Sequence, residues 1–128
     1  MTDTTIVLPD RIERVTRVRT IASDEWRAAI VLQGELDVAN ASELRAALDA
    51  HLDAGRRVIR IDAGRLDFID STALGELIRA TRRCTEEHGS LILTNVSPRL
   101  WRILVITGLD SVLLVDTAGG LGRPTTVG

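Results

Sequence analysis

Asp70, Ser71 and Thr72 are the residues of this chain whose types and placement could do chemistry. An acid and two hydroxyls follow an apolar run, Val58 to Ile69, and an amphipathic pattern starts at once after them. Such a strand-to-helix junction places Ser71 and Thr72 on the first turn of the helix. Hydroxyls there can cap backbone N–H groups that lack an intrahelical partner. The same free N–H groups, with the helix dipole, favour negative charge, so a phosphoryl group is readily accommodated at this spot.

Other chemistries find less support. Ser71 has no Gly-x-Ser-x-Gly context, and neither His51 nor His88 is placed by sequence to serve it as a base. The two histidines lie near the ends of different helical patterns, without metal-ligand spacing, and read as surface residues. Cys84 falls on an inward helical stripe and reads as a buried structural thiol. Asp37, Asp62, Asp67 and Asp70 fall at or near strand ends; solvated turn residues are the preferred reading, a magnesium or phosphate site the alternative. All 16 basic residues are arginine, which removes Schiff-base lysine chemistry and a P-loop lysine. A net charge of −2 and 2% aromatic residues argue against a nucleic-acid binder. A single cysteine excludes an internal disulfide. With no apolar run of membrane-span length and no signal-peptide pattern, the expectation is a cytoplasmic protein.

These residues need a scaffold, and 128 residues suit a single domain with its own core. The pattern predicts a flexible arm over 1–11, a domain over 12–116 and a flexible Gly- and Thr-rich tail over 117–128. Strands are predicted at 12–21 and 26–33 around a turn at Ser23-Asp24, then at 58–62, 91–93 and 112–115. A first helix runs from Asn40 to Ala54, with Asn40 and Glu43 spaced as a capping box and Ala41, Leu44, Leu48 and Leu52 on one face. A second runs from Ser71 to His88, with Leu74, Leu77, Ile78, Thr81 and Cys84 inward. Ser97-Pro98 starts a third, which buries Leu100, Ile103 and Leu104 and stops at Gly108. Trp101 and Val105 lie off that stripe, either as an exposed apolar pair or with Trp101 folded over its neighbours. Arg79, Arg82 and Arg83 form an outer cluster on the second helix, in part paired with Glu76, Glu86 and Glu87. Helices alternating with strands imply a mixed, mostly parallel sheet with an antiparallel hairpin at one end: an α/β fold.

With these elements placed, the sequence resembles a STAS domain, specifically the stand-alone anti-sigma factor antagonists of bacteria. The resemblance covers about residues 14–116. It rests on Gly34-Glu35-Leu36-Asp37, on Phe68-Ile69-Asp70-Ser71-Thr72, on Thr107-Gly108-Leu109-Asp110, and on Arg102 in the third helix. It implies a single STAS-like domain with helices packed mainly on one face of the sheet. It implies a regulator rather than an enzyme, without cofactor or metal, nucleic acid or membrane. Its partners would be an anti-sigma factor serine/threonine kinase and a protein phosphatase; homodimerisation stays open. Ser71 matches the phosphorylated serine, with Thr72 as a minor alternative acceptor. The expected partner-binding residues are Asp37, Asp70, Ser71, Thr72, Gly75, Glu76, Arg79 and Arg83. The family commonly has glycine after the Ser-Thr pair, where this chain has Ala73, a methyl expected on the side a kinase would approach. The alternatives are a STAS subunit of an ABC-type lipid transport complex and a small nucleotide-binding protein.

Overall fold

The computed structural model describes residues 17–117 and 120–121. The arm at 1–11 and the start of the first predicted strand lie outside them. Strands β1 (Val18–Ser23), β2 (Arg27–Leu36), β3 (Val58–Ile69), β4 (Ser90–Thr94), β5 (Leu114–Thr117) and β6 (Gly120–Leu121) lie in that order across one sheet. β2 to β5 are mutually parallel; β1 and β6 are antiparallel edges. Helices α1 (Ala41–Asp53), α2 (Ser71–Glu86) and α3 (Pro98–Thr107) connect the parallel strands, and a 3-10 turn (Leu109–Ser111) follows α3. Right-handed crossovers that always step toward the same sheet edge put every helix on one side. The mixed sheet is the one expected from the pattern, and helices on one face are what the STAS resemblance implies.

The core lies between that face and the helices. Ile30 and Leu32, Ile59 and Ile61, Leu91 and Leu93, and Val115 alternate inward from the parallel strands, with Leu113 buried just before β5. Leu44, Leu48 and Leu52 of α1 meet them, with Leu74, Leu77 and Cys84 of α2 and Leu100, Trp101 and Leu104 of α3. Burial pushes the Cys84 thiol above its ordinary pKa, and its Sγ lies 3.4 Å from the Arg57 carbonyl. Gly89 is required where α2 hands over to β4. A Cβ there would fall 2.2 Å from the Arg57 carbonyl oxygen, and the left-handed turn is carried by His88 at φ 66°.

Several sequence expectations are corrected. β2 runs to Leu36 rather than Gln33, because Gly34, at φ 74°, sits where the pairing shifts register and lets the strand continue through Glu35. β3 runs to Ile69 rather than Asp62, paired with β2 along its far half. α2 ends at Glu86, two residues short of His88, and β5 begins at Leu114 rather than Val112. The pair Gly120–Leu121, within the stretch read as a tail, adds β6 to the sheet. Asn40 makes no capping hydrogen bond at the start of α1. Trp101 is buried, so no exposed Trp101–Val105 pair exists; its indole Nε1 has no hydrogen-bond partner among the described residues. Ile78 is half-buried rather than a core residue, since Ala73, Leu77 and Ala80 take the inward positions of α2.

His51 is the other correction. It is not a surface residue but is buried at the end of α1, tying that helix to the edge strand. Its Nε2 lies 2.8 Å from Thr20 Oγ1, and its Nδ1 lies 3.3 Å from Arg56 Nη1. A guanidinium only donates, so Nδ1 must accept and Nε2 carries the proton. Desolvation, helped by the Arg56 charge, lowers the imidazole pKa. The unfolded chain therefore binds a proton that the native state refuses. Stability is full above the ordinary imidazole range, about pH 6.5, and is lost as pH falls from there toward the lowered native value. Thermal melts between pH 8 and 5 should show this fall, and His51→Gln should lack it; parallel pH profiles for the two proteins would refute the assignment.

Candidate functional site at the β3–α2 junction

Asp70 organises the junction. Its backbone N–H donates to the Leu36 carbonyl (3.0 Å), docking the end of β3 beside the end of β2. Its Oδ1 accepts from the Ala73 amide (3.0 Å), which makes Asp70, not Ser71 or Thr72, the cap of α2. Its Oδ2 accepts from the Val38 amide (3.0 Å), which fastens the β2–α1 loop to the same carboxylate. That loop is held from within as well. Asp37 Oδ1 accepts from the Ala39 amide (2.9 Å), Asn40 Oδ1 accepts from the Asp37 amide (2.8 Å), and Asn40 Nδ2 donates to the Glu35 carbonyl (2.8 Å). Asn40 and Glu43 look like a capping box in sequence, but the asparagine turns back to close the loop instead.

Ser71 and Thr72 stand exposed at the first two positions of α2. Neither hydroxyl has a partner among the described residues. Their amides belong to the first turn, where no intrahelical acceptor exists, and Asp70 serves only the third. An exposed, unengaged hydroxyl thus sits over two free N–H groups at the positive end of a 16-residue helix. Ala73 is fully buried, so its methyl enters the core and leaves the approach to Ser71 open.

The remaining expected site residues divide. Gly75 is exposed one turn below Ser71, and a side chain there would meet nothing within 4 Å. Glu76 accepts from Arg79 Nε (2.9 Å), while Arg79 Nη2 also donates to Asp49 (2.9 Å). Arg83 reaches Asp53 (2.6 Å), Asp49 (3.4 Å) and Glu87 (3.4 Å). Arg79 and Arg83 therefore brace α2 against α1. Asp37 and Asp70 share the loop through Val38; Asp62 lies within β3, bonded to the Gly64 amide (2.8 Å), and Asp67 is exposed on β3. Among the described residues, no three His, Cys, Asp or Glu side chains gather as a metal site.

Sequence reasoning missed the apolar rim and an unpaired cation on α2. Val38 is 74% exposed, with its amide on Asp70, and Phe68, two residues before Asp70, is 51% exposed. Half-buried Ile78 and exposed Arg82 continue the face of Gly75 along α2, and Arg82 has no partner among the described residues. The signal for the rim was the one phenylalanine of the chain beside the junction, and one valine in a polar loop.

A family model described as Mlab, STAS domain matches residues 20–116. The anti-sigma-B factor antagonist of Listeria monocytogenes is 31% identical over 91 residues, 71% of this chain and 80% of its own length. The anti-sigma factor antagonist SpoIIAA, solved in its unphosphorylated form, superimposes with a TM-score of 0.61 at 26% identity, over 70% of this chain and 82% of that one. The phosphorylated form of the Bacillus cell fate determinant SpoIIAA has the same fold, at a TM-score of 0.63 and 24% identity, over 80% and 93%. No helix among the described residues is long and apolar enough to cross a membrane.

Proposed function

The chain belongs to the STAS domain family, and from that premise we propose that it is an anti-sigma factor antagonist switched by phosphorylation of Ser71. Unmodified, it binds an anti-sigma factor serine kinase and so frees a sigma factor for transcription. Transfer of the γ-phosphoryl group of ATP to Ser71 Oγ, with loss of the hydroxyl proton and release of ADP, breaks the complex. A phosphatase restores it by hydrolysis. Nothing in this cycle requires the chain to be an enzyme, and it places the protein with its partners in the cytoplasm.

The observation that carries the reading is the exposed Ser71 hydroxyl above two free amides, on a junction that Asp70 holds rigid. Its 26%-identical neighbour SpoIIAA is named an anti-sigma factor antagonist and was solved in an unphosphorylated form, which implies a phosphorylated one. Incubation with the cognate kinase and ATP should add one phosphate, and mass spectrometry should place it on Ser71. A phosphate on Thr72 or elsewhere in an active reaction would count against the assignment. A transport-complex subunit would bind an ATPase without being modified.

In this reading the contact face is Val38, Asp37, Asp70, Ser71, Thr72, Gly75, Ile78 and Arg82, with Glu76, Arg79 and Arg83 behind it. Gly75 lets a partner backbone come close, and Arg82 offers it an uncommitted cation. Arg82→Glu should weaken kinase binding about tenfold, or 1.4 kcal/mol, while changing stability by about 0.5 kcal/mol or less. Arg79→Glu should lower both affinity and melting temperature, because it places a third carboxylate beside Asp49 and Glu76. Full affinity in both variants would move the interface off α2.

A further inference from the structure

We propose that α3 carries a second docking face, which receives an acidic amphipathic helix of a partner protein. The proposal rests on α3 itself and not on phosphorylation of Ser71. Arg99, Arg102, Ile103 and Ile106 are spaced three, one and three residues apart, so they form one stripe. Ile106 is 75% exposed; Ile103 is half-buried, with its inner side against the core. The stripe continues across a shallow cleft formed by Leu100 and Ile103 of α3 with Leu66, Asp67 and Phe68 of β3, where Asp67 is the one carboxylate against the two arginines. That cleft exists because β4 stops at the Asp62–Thr94 pair, while β3 runs seven residues further.

Charge names the occupant. Arg27, Arg45, Arg57, Arg60, Arg79 and Arg83 each meet a carboxylate within this chain. Arg99 and Arg102, like Arg19, Arg65 and Arg82, meet none among the described residues, and these two share one helix face with Ile103 and Ile106. Two uncommitted guanidinium groups beside exposed Ile106 and half-buried Ile103 fit carboxylates flanking an apolar stripe. From Arg99 to Ile106 the face spans about 10 Å, two turns of a helix laid along it. Two arginines and the single ring of Phe68 fall short of the successive stacking rings and the wider basic field that a nucleic acid would need.

Selection of a displayed library of random peptides against the full chain tests this. Enriched peptides should be net acidic, with apolar residues at i, i+3 and i+4. They should shift the amide resonances of residues 99–106. Arg102→Glu and Ile106→Glu should each weaken them at least tenfold, and versions with lysine for the acidic residues should bind Arg102→Glu better than the native chain. Ser71→Glu should leave them untouched, which keeps this test apart from the phosphorylation cycle. Both replaced positions are exposed, and unchanged melts would show the variants folded. No enrichment, enrichment indifferent to both variants, or loss of binding in Ser71→Glu would overturn the proposal. Binding to phosphatidylglycerol vesicles without binding to acidic peptides, or self-association abolished by Ile106→Glu, would overturn it too.

Discussion

Ser71→Glu is expected to weaken the complex with the anti-sigma factor kinase a hundredfold or more, and true phosphorylation further, while Ser71→Ala binds and cannot be released by ATP. A phosphoryl group adds about −1.5 to −2 charge at neutral pH. At the centre of a contact it must shed water, beside exposed Val38, whose amide Asp70 holds. The Asp70 carboxylate cannot swing aside to relieve the repulsion, since both its oxygens hold backbone amides. An unpaired charge buried in an interface costs several kcal/mol, and 2.8 kcal/mol already corresponds to a hundredfold. In the free protein the same charge is welcome, because the Ser71 and Thr72 amides and the helix dipole face it. The modification therefore opposes the complex and favours the dissociated state at once. Glutamate copies the effect incompletely, having one negative charge and two oxygens. Calorimetric titration of the kinase with native, phosphorylated, Ser71→Ala and Ser71→Glu protein would measure the series. Equal affinity for native and phosphorylated protein would sink the switch.

How much of this was legible before the fold was known depends on the range of the interaction. Hydrophobic period, glycine stops and the Ser97-Pro98 start are local, and they placed all three helices and the parallel strands. Position on the helix was local too, so Ser71 stood out. What the sequence could not show was which side chain reaches across. Asp70 reads as a neighbour of Ser71, yet its second oxygen binds Val38, 32 residues away. Asn40 and Glu43 have a capping-box spacing, but the Asp37 amide takes the asparagine Oδ1 that would cap the helix, and Nδ2 ties back to the Glu35 carbonyl. His51 looks solvated until β1 brings Thr20 against it. Arg79 and Arg83 read as paired only within their own helix, since Asp49 and Asp53 belong to another. That Arg82, Arg99 and Arg102, like Arg19 and Arg65, meet no carboxylate among the described residues emerges only once the ion pairs across the fold are known.

The sharpest division of labour along α2 is expected at Leu74, Leu77 and Ile78. The amphipathic pattern marks all three as inward, but the helix turns so that Leu74 and Leu77 are buried and Ile78 is half-open beside Gly75 and Arg82. Leu74→Ala and Leu77→Ala each leave a cavity against the sheet and should cost about 2–5 kcal/mol. For a domain of this size that is a large part of the total, about 5–15 kcal/mol. Ile78→Ala forfeits only partial burial and should cost about 1 kcal/mol. Ser71→Ala should shift stability by about 0.5 kcal/mol or less, because Asp70 is the cap and alanine favours a helix. Denaturant titrations should thus separate two core variants from two surface ones. Kinase affinity should separate them differently: Ile78→Ala loses binding while folded, Ser71→Ala keeps it, and the leucine variants lose it only as far as they unfold. If Ile78→Ala unfolds like Leu74→Ala, the open face along α2 is part of the core. If it keeps both stability and affinity, the partner does not touch that face.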